Sequence, residues 1–596
     1  MSPRSKVLTL AFLTLSGITL PLAAQEPAPE SVDTLMERDQ TIAPEVVDNI
    51  QRVDPGFDGW RSEVLHDGAK QGFKAFFAWA VYQEKFPSES MAMEFVCPPL
   101  RPQDLSLLYE DGQLSIRHAE NPHGHVLGLD DQENMVSGLR SILAEPVADN
   151  TFFKITTVRV GEGQQFETDF IFHGAAGTRF PVQVNLEGTA TWQIGATDEE
   201  VQLAQIHIHQ YEEILATRTT FADVTTKVFQ GDKLWNLLML HDTQDFTKRT
   251  DRVIGQSYIG SQGVAVGDID NDGLDDVFVP MPGGSPNRLY RHLPDGTAEE
   301  ISAKAQVDWV DNTRAALFLD VDNDGDQDLV ISVGANLVIG YNDGSGVFSE
   351  RVPLRKLDEP HIYSLSAADY DQDGDLDIYA CRYVAGGLIG GAPAPYHDAN
   401  NGADNFLWRN EGNREWKDVT AEVGLDKGNS KFSLASVWAD FDQDGDLDLY
   451  VANDFGRNNL YINDGNGHFQ DEAVERGADD IGAAMGASVA DVDGDGDQDI
   501  LVTNMFSSAG RRIATQSNRF MDGQSQEVHQ DYIRHARGNT LLINQGNGHF
   551  TDATEEAGIA VGGWAWGARF VDINNNGRPD IYSPNGFLTN RKTKDL

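Results

Sequence analysis

Five short stretches of this chain set aspartates at alternate positions around a glycine at position 6: "DIDNDGLDD" from Asp268, "DVDNDGDQD" from Asp320, "DYDQDGDLD" from Asp369, "DFDQDGDLD" from Asp440 and "DVDGDGDQD" from Asp491. A sixth, "DINNNGRPD" from Asp572, keeps the spacing with fewer carboxylates. Such crowded like charges repel one another, so either a cation sits among them or the segment is unfolded. Read as a coordination loop, positions 1, 3 and 5 aim oxygens into one concavity, and glycine at 6 permits the sharp turn. Position 7 offers its backbone carbonyl and position 9 closes the shell.

The candidate ligands are then Asp268, Asp270, Asp272, Leu274 and Asp276 in the first loop, and Asp320, Asp322, Asp324, Asp326 and Asp328 in the second. Asp369, Asp371, Asp373, Asp375 and Asp377 form the third; Asp440, Asp442, Asp444, Asp446 and Asp448 the fourth. Asp491, Asp493, Asp495, Asp497 and Asp499 form the fifth; Asp572, Asn574, Asn576, Arg578 and Asp580 the altered sixth. Hard oxygens from one flexible loop suit calcium better than magnesium or zinc. A bound divalent ion inverts the repulsion and makes the carboxylates favourable. Five or six structural calcium ions are expected, the sixth loop binding most weakly or not at all.

An EF-hand opens the same way but needs a bidentate glutamate at position 12 and flanking helices. Position 12 is Val279, Ile331, Ala380, Val451, Val502 and Ser583 in the six copies, none of them a carboxylate. The flanks read as strands: "GVAVGD" and "DVFVP" around the first loop, "LASVWAD" and "DLYVAN" around the fourth. Each loop is therefore expected to clamp a β-hairpin.

The loops recur at intervals of 52, 49, 71, 51 and 81 residues, the long intervals holding polar insertions around 384–404 and 506–538. A second motif alternates with the first. "LWRNEGNREWKDVT", "LYINDGNGHFQDEA" and "LLINQGNGHFTDAT" predict strand–turn–strand hairpins; "LYRHLPDGTAEEI" and "YNDGSGVFSERV" are weaker copies. "FADVT" from Phe221 reads as the last strand of such a hairpin, arriving before the first loop. A unit of roughly 50 residues with about four short strands has the size and content of a β-propeller blade.

D-x-D-x-D-G-x-x-D loops between strands at this interval resemble the FG-GAP/VCBS repeats of integrin-α-type propellers. The hairpin N-x-L-Y-x-N-x-G-x-G-x-F-x-D and "WAWGARFVDINNNGRPDIYSPNGF" resemble bacterial FG-GAP proteins often paired with an ASPIC/UnbV domain. The resemblance covers residues 221–596 and implies a mainly β fold, a six- or seven-bladed β-propeller whose loop ions are structural. No ASPIC/UnbV module is expected after "NRKTKDL", and no RGD occurs.

At 596 residues the chain should hold more than one core, and a formal charge of −49 argues against nucleic acid or an anionic membrane surface as partner. Arg4 and Lys6, the apolar Val7 to Leu20 and the small-residue exit at Ala24 lay out a secretory signal peptide over 1–24, an uncleaved anchor being the alternative. A linker over 25–31 follows. Residues 32–220 show no repeat. "SVDTLMERDQTIAPEVVDNIQRV", "GAKQGFKAFFAWAVYQEKF" and "DQENMVSGLRSILAE" predict helices. "TFFKITTVRV", "QFETDFIFHG", "RFPVQVNLEGTATWQI" and "VQLAQIHIHQYEEI" predict antiparallel strands. Together they make an α+β domain with some likeness to an NTF2-like cone. No later run reaches the roughly 18 apolar residues of a span, so a secreted or periplasmic monomer without stable membrane insertion is expected. Cys97 and Cys381 are either two buried free thiols or a disulfide.

Catalytic signals are sparse. His207 and His209 in "QIHIHQYEE" share a strand face at metal-pair spacing, without an identified third ligand. Arg511, Arg512, Arg534 and Arg537 gather in the second insertion, as an anion or glycan contact or as internal ion pairs. Trp564 and Trp566 alternate on one strand, as core packing or a carbohydrate platform. No G-x-S-x-G, H-E-x-x-H or phosphate loop occurs. The favoured function is binding of an extracellular or periplasmic protein or glycan through propeller loops and insertions. The alternative is an enzyme acting on a carbohydrate or small molecule in the channel or N-terminal pocket. A cluster of His, Tyr and Arg on the channel rim would favour the enzyme; a broad exposed patch on the insertions would favour binding.

Overall fold

A computed structural model describes residues 60–584 except 123–124, 162, 178–179, 220, 236–262, 335, 355–361, 384–392, 517–519 and 521–522. The expected signal peptide, linker and first helix lie outside the described residues. The helical spacing of "GAKQGFKAFFAWAVY" puts Ala69, Phe73, Phe76, Phe77 and Ala80 on one stripe, all buried by α1 (Arg61–Tyr82). That stripe lies on a sheet of eight strands: β1 (Met91–Cys97), β2 (Ser106–Glu110), β3 (Leu114–Glu120), β4 (Leu127–Gly128), β5 (Phe152–Val160), β6 (Gln165–Ala176), β7 (Val182–Ile194) and β8 (Val201–Ala216). Their order is β2-β3-β8-β7-β6-β5, with β1 parallel to β8 and paired to β4. Phe77 stacks on Phe172 at 4.4 Å and Phe73 meets Trp192 edge-on at 4.9 Å. A Cβ on Gly72 would stand 2.6 Å from the Trp192 ring, so helix and sheet approach as closely as only glycine allows. A second helix, α2 (Gln132–Ile142), matches "DQENMVSGLRSILAE".

From Ala265 the chain is mainly β, in consecutive antiparallel meanders. In each, a first strand runs into an aspartate loop, a second returns from it, and a hairpin completes the sheet. Unit 1 has strands Ala265–Gly267, Asp276–Val279, Arg288–His292 and Ala298–Glu300. Unit 2 has Thr313–Leu319, Asp328–Val333, Asn336–Tyr341 and Glu350–Leu354; unit 3 has Ile362–Ala368, Asp377–Arg382, Phe406–Asn410 and Trp416–Asp418. Unit 4 has Ser430–Ala439, Asp448–Arg457, Asn459–Asn463 and Phe469–Asp471; unit 5 has Ile481–Ala490, Asp499–Asn504, Thr540–Asn544 and Phe550–Asp552. Among the described residues unit 6 is a two-stranded hairpin, Arg569–Val571 with Asp580–Tyr582. The second insertion supplies α3 (Ser508–Ala514) and α4 (Gln526–His535).

The apolar cores lie between neighbouring units rather than within one. Phe278 of unit 1 packs with Phe318 and Phe348 of unit 2, and Tyr379 of unit 3 with Leu449 and Tyr461 of unit 4. Phe441 and Tyr450 of unit 4 share a core with Ile500 and Phe550 of unit 5. A short sheet buries both faces this way only when sheets follow one another face to face.

"FADVT" is not a strand. Residues 221–224 carry no regular structure, and Val224 leads into a one-turn helix, Thr225–Val228. The Asp223 carboxylate accepts the Thr225 N–H at 3.0 Å and bends the chain there, as Asx turns do. Phe229 and Trp235 then stack at 4.2 Å against Tyr290 of unit 1. Phe221 itself rests on Tyr582 of unit 6, 6.3 Å between ring centres. Cys97 and Cys381 are buried free thiols. No described helix is long and apolar enough to cross a membrane.

Candidate metal centres

Each loop is shaped by its own carboxylates. Position 1 accepts the N–H groups of positions 5 and 6: at 3.1 and 2.8 Å for Asp268, and 3.0 and 3.0 Å for Asp369. Position 5 accepts the N–H of position 7, so the Leu274, Asp326 and Arg578 amides are tied to Asp272, Asp324 and Asn576. Position 9 is buried in loops 1 to 5; Asp448 takes the Phe441 N–H at 3.0 Å and, from the hairpin, the Asn463 N–H at 2.9 Å. The glycine at position 6 has φ of 82° to 101° throughout. Position 4 is left-handed as well: Asn271, Asn323, Gln372 and Gln443 have φ of 58° to 60°.

The fold brings positions 1, 3 and 9 together. Asp268, Asp270 and Asp276 each offer an oxygen within 4.8 Å of the others, as do Asp320, Asp322 and Asp328, and Asp369, Asp371 and Asp377. Asp440, Asp442 and Asp448 repeat the triple, as do Asp491, Asp493 and Asp499. Position 5 (Asp272, Asp324, Asp373, Asp444, Asp495) stands outside it. Position 7 uses its side chain differently from expectation: Asp326 and Asp375 accept the Asn271 and Asn323 amides of the preceding loop, both at 2.7 Å. Gln372 reaches the Gly445 carbonyl at 2.9 Å and Gln443 reaches Asp497, so loops 1 to 5 are linked in series. Among the described residues no triple forms at loop 6, where Asp572 and Asp580 are separated by Asn574, Asn576 and Arg578.

The donor set fits a hard cation. At position 3, one oxygen of Asp270, Asp322, Asp371 and Asp442 faces Arg291, Arg414, Arg409 and Arg476 respectively. The other, Oδ1, is buried without a hydrogen-bond partner in all four. An acceptor-only oxygen buried beside two more carboxylates costs free energy unless a cation takes it. Position 9 feels the same crowding. Burial, then the carboxylates at positions 3 and 5, push Asp328 and Asp448 up to about 7 and Asp377 up to about 8. Calcium bound there would supply the charge that these groups lack.

An FG-GAP-like repeat model matches residues 320–380, 440–502 and 531–583, three spans that each contain an aspartate loop or its hairpin. Three spans of this chain thus match FG-GAP-like repeats. The chain is similar to cartilage acidic protein 1: 28% identical to the Xenopus tropicalis protein over 289 residues, covering 44% of this chain and 43% of that protein. Against the Homo sapiens protein it is 26% identical over 305 residues, covering 46% and 44%. The chain thus spans less than half the length of the curated relatives it matches. A solved structure concerned with recognition of non-reducing terminal N-acetylglucosamine by an Agrocybe aegerita lectin aligns over 75% of this chain and 86% of that one. Its 15% identity and TM-score of 0.32 carry no argument about fold or ligand.

The other sequence candidates sort as follows. His207 and His209 meet edge-on at 4.8 Å, with His209 Nε2 2.6 Å from Thr189 Oγ1; among the described residues no third metal ligand gathers with them. The arginines of the second insertion are mostly internal. Arg512 pairs with Glu63 at 3.0 Å, Arg537 with Asp552 at 2.6 Å, and Arg534 lies 3.8 Å from buried Asp480. Arg511 lies 6.0 Å over the Phe506 ring. Trp564 bridges Met505 in the backbone, and both tryptophans are half-buried.

One group escaped sequence reading. Asp454, 6% exposed, accepts the Tyr383 hydroxyl at 2.5 Å, while its other oxygen is buried without a hydrogen-bond partner. The neighbouring Phe455 has φ of 61°, a strained conformation for a bulky residue, at a register slip against the first strand of unit 5. Its ring meets Tyr396 at 5.0 Å and His535 at 5.8 Å, so the two insertions converge over it. This site stands six residues along the strand from the Asp448 end that holds the loop. Burial pushes the Asp454 carboxyl up to about 7, with the Tyr383 hydrogen bond opposing. A folded value above the unfolded one means stability is lost as pH rises from about 4 through 7. Asp454→Asn should therefore raise the melting temperature by several degrees at pH 8 and leave it unchanged at pH 4. Equal gains at both pH values would count against a buried, titrating carboxyl.

Proposed function

We propose that this is an exported, calcium-stabilised β-propeller that binds a protein or glycan partner with the face formed by its two insertions. The observation that carries it is the five convergent aspartate triples, with their buried and unpartnered position-3 oxygens. The units close as a six-bladed ring. Cores between successive sheets support that closure, and so does Phe221, at the start of the repeats, lying on Tyr582 near their end. Calcium is structural, held by positions 1, 3 and 9 with position 5 and the position 7 carbonyl completing the shell. The relatives' own name speaks of cartilage, an extracellular setting.

For the partner, Tyr396 is the exposed member of the insertion cluster, 46% accessible above Phe455, Tyr532 and His535. An aromatic face backed by packed rings suits a sugar ring or a peptide side chain. A glycan array and a solution screen of extracellular proteins should yield a calcium-dependent ligand whose affinity falls about tenfold or more on Tyr396→Ala. Unchanged affinity in that variant rejects the insertion face. A second reading, an enzyme, is favoured by one observation: the Asp454–Tyr383 pair adjoins Tyr363, which lies under the Arg314 guanidinium at 4.3 Å. In that case Asp454→Asn abolishes turnover of a carbohydrate substrate while leaving its binding intact.

A further inference from the structure

Loop 6 is built like the others but faces the opposite charge. Its backbone is fixed in the same way: Asp572 accepts the N–H groups of Asn576 and Gly577 at 2.9 and 2.7 Å, and Asp580 that of Ile573 at 3.0 Å. In loops 1 to 4 the position 3 carboxylate meets an arginine. In loop 6 the position 3 amide meets an acid. Asn574 Nδ2 donates to Asp111 Oδ2 at 3.1 Å and to Tyr109 Oη at 3.2 Å, and Asn576 Nδ2 donates to Tyr109 Oη at 3.0 Å. Tyr109 and Asp111 form the turn from β2 to β3 of the N-terminal sheet. That turn is set by its own bonds: Asp111 Oδ1 accepts the Gln113 and Leu114 N–H groups, both at 2.8 Å, and Tyr109 donates to Asp111 Oδ2 at 3.0 Å. These bonds hold the Asp111 carboxyl below the usual carboxylate range, so it docks as an anion.

Asp111 does not complete a cation site. With Asp572 and Asp580 it forms no convergent triple of the kind found in loops 1 to 5. An aspartate at 574 would instead set two carboxylates in contact, which repel. The asparagine at position 3 therefore faces a protein carboxylate, and the one at position 5 the Tyr109 hydroxyl bound to that carboxylate, rather than an ion.

We propose that loop 6 is an ion-independent docking site for the β2–β3 turn, in which the Asn574 and Asn576 amides occupy the electrostatic role that calcium has elsewhere. A second tie acts on the same N-terminal sheet and helix: Arg512 of α3 pairs with Glu63 and donates to the Ile155 carbonyl at 3.0 Å, again without an ion. The N-terminal part of the chain is thus held to units 5 and 6 at two places that chelation does not touch. The contrast with loops 1 to 5 rests on the calcium reading; the docking itself does not.

Hydrogen exchange in EGTA tests the docking separately. Asn574→Asp should speed amide exchange at least tenfold in both 107–117 and 572–578, because Asp111 is expelled. Adding Asp111→Asn should restore protection, since an amide again faces a carboxylate across the contact. Both residues stand on surface turns, and circular dichroism is used to check that each variant is folded. Equal exchange in the wild type, the single variant and the double variant overturns the docking. Native mass spectrometry in calcium then counts ions: five supports an ion-free loop 6, and six overturns it. A count of zero with the exchange pattern intact removes the calcium reading and leaves the docking standing.

Discussion

Stripped of calcium with EGTA, the protein should melt roughly 10 °C or more below its calcium-loaded form. Extracellular modules of this kind bind at about 10⁻⁴ to 10⁻³ M, and tenfold excess over such a Kd stabilises by roughly 1.4 kcal/mol per site. Five sites in series reach about 7 kcal/mol, comparable with the whole stability of a typical domain, roughly 5–15 kcal/mol. For a region of this size each kcal/mol moves the midpoint by about 2 °C. The loss should also spread. Loop n touches loop n+1 through Asn271, Asn323, Gln372 and Gln443, so an emptied loop loosens the anchor of its predecessor. Magnesium, which demands octahedral geometry and gives up water reluctantly, should restore only part of the midpoint. Calorimetry with EGTA and with each metal added back decides the matter: an unchanged midpoint in EGTA sinks structural calcium.

Much of this was legible in sequence because it depends on local chemistry. A glycine at position 6 and carboxylates at 1, 3 and 9 are needed wherever this loop forms, and the period of the hairpins follows from the length of a four-stranded meander. Helix α1 and strands β5 to β8 were legible for the same reason, since each carries a long apolar period interrupted only locally. β2 was not: "SLLYE" is exposed along nearly its whole length, so no alternation marks it. "FADVT" misled because its strand-like composition is overruled by one Asx turn at Asp223. Two features of the loops depend on partners distant in sequence and left no local trace. The position 7 side chains Asp326, Asp375 and Asp497 serve the preceding loop, and Asn574 with Asn576 serve Tyr109 and Asp111, more than 460 residues away. The Asp454 site required three segments to meet, and no pattern within any one of them announces it.

Position 9 and position 3 should respond differently to mutation, and the difference separates the loop's architecture from its ion. Asp448 is fully buried and holds two backbone N–H groups, those of Phe441 and Asn463. Asn463 in turn donates Nδ2 to the Tyr370 carbonyl of loop 3 at 3.0 Å and to the Leu447 carbonyl at 3.2 Å. Asp448→Ala leaves both N–H groups buried without acceptors and frees the residue that staples unit 4 to unit 3. Two lost bonds at about 1.5–3 kcal/mol each put the cost at roughly 3–6 kcal/mol in EGTA, and loss of the site adds about 1.4 kcal/mol to it in calcium. Asp442 has no backbone donor; its partners are Arg476 at 3.2 Å and the proposed ion. Arg476 keeps its second partner Glu472, and the pair's attraction is opposed by the buried, unpartnered Asp442 Oδ1, so Asp442→Ala should be close to silent in EGTA and should cost about 1.4 kcal/mol in calcium, the share of one site. The pair of variants, melted in both conditions, thus reads two quantities from one loop. If Asp448→Ala were silent in EGTA, position 9 would act through the ion alone, and the hairpin would have to be held by its apolar contacts, Phe441 on Phe550 foremost.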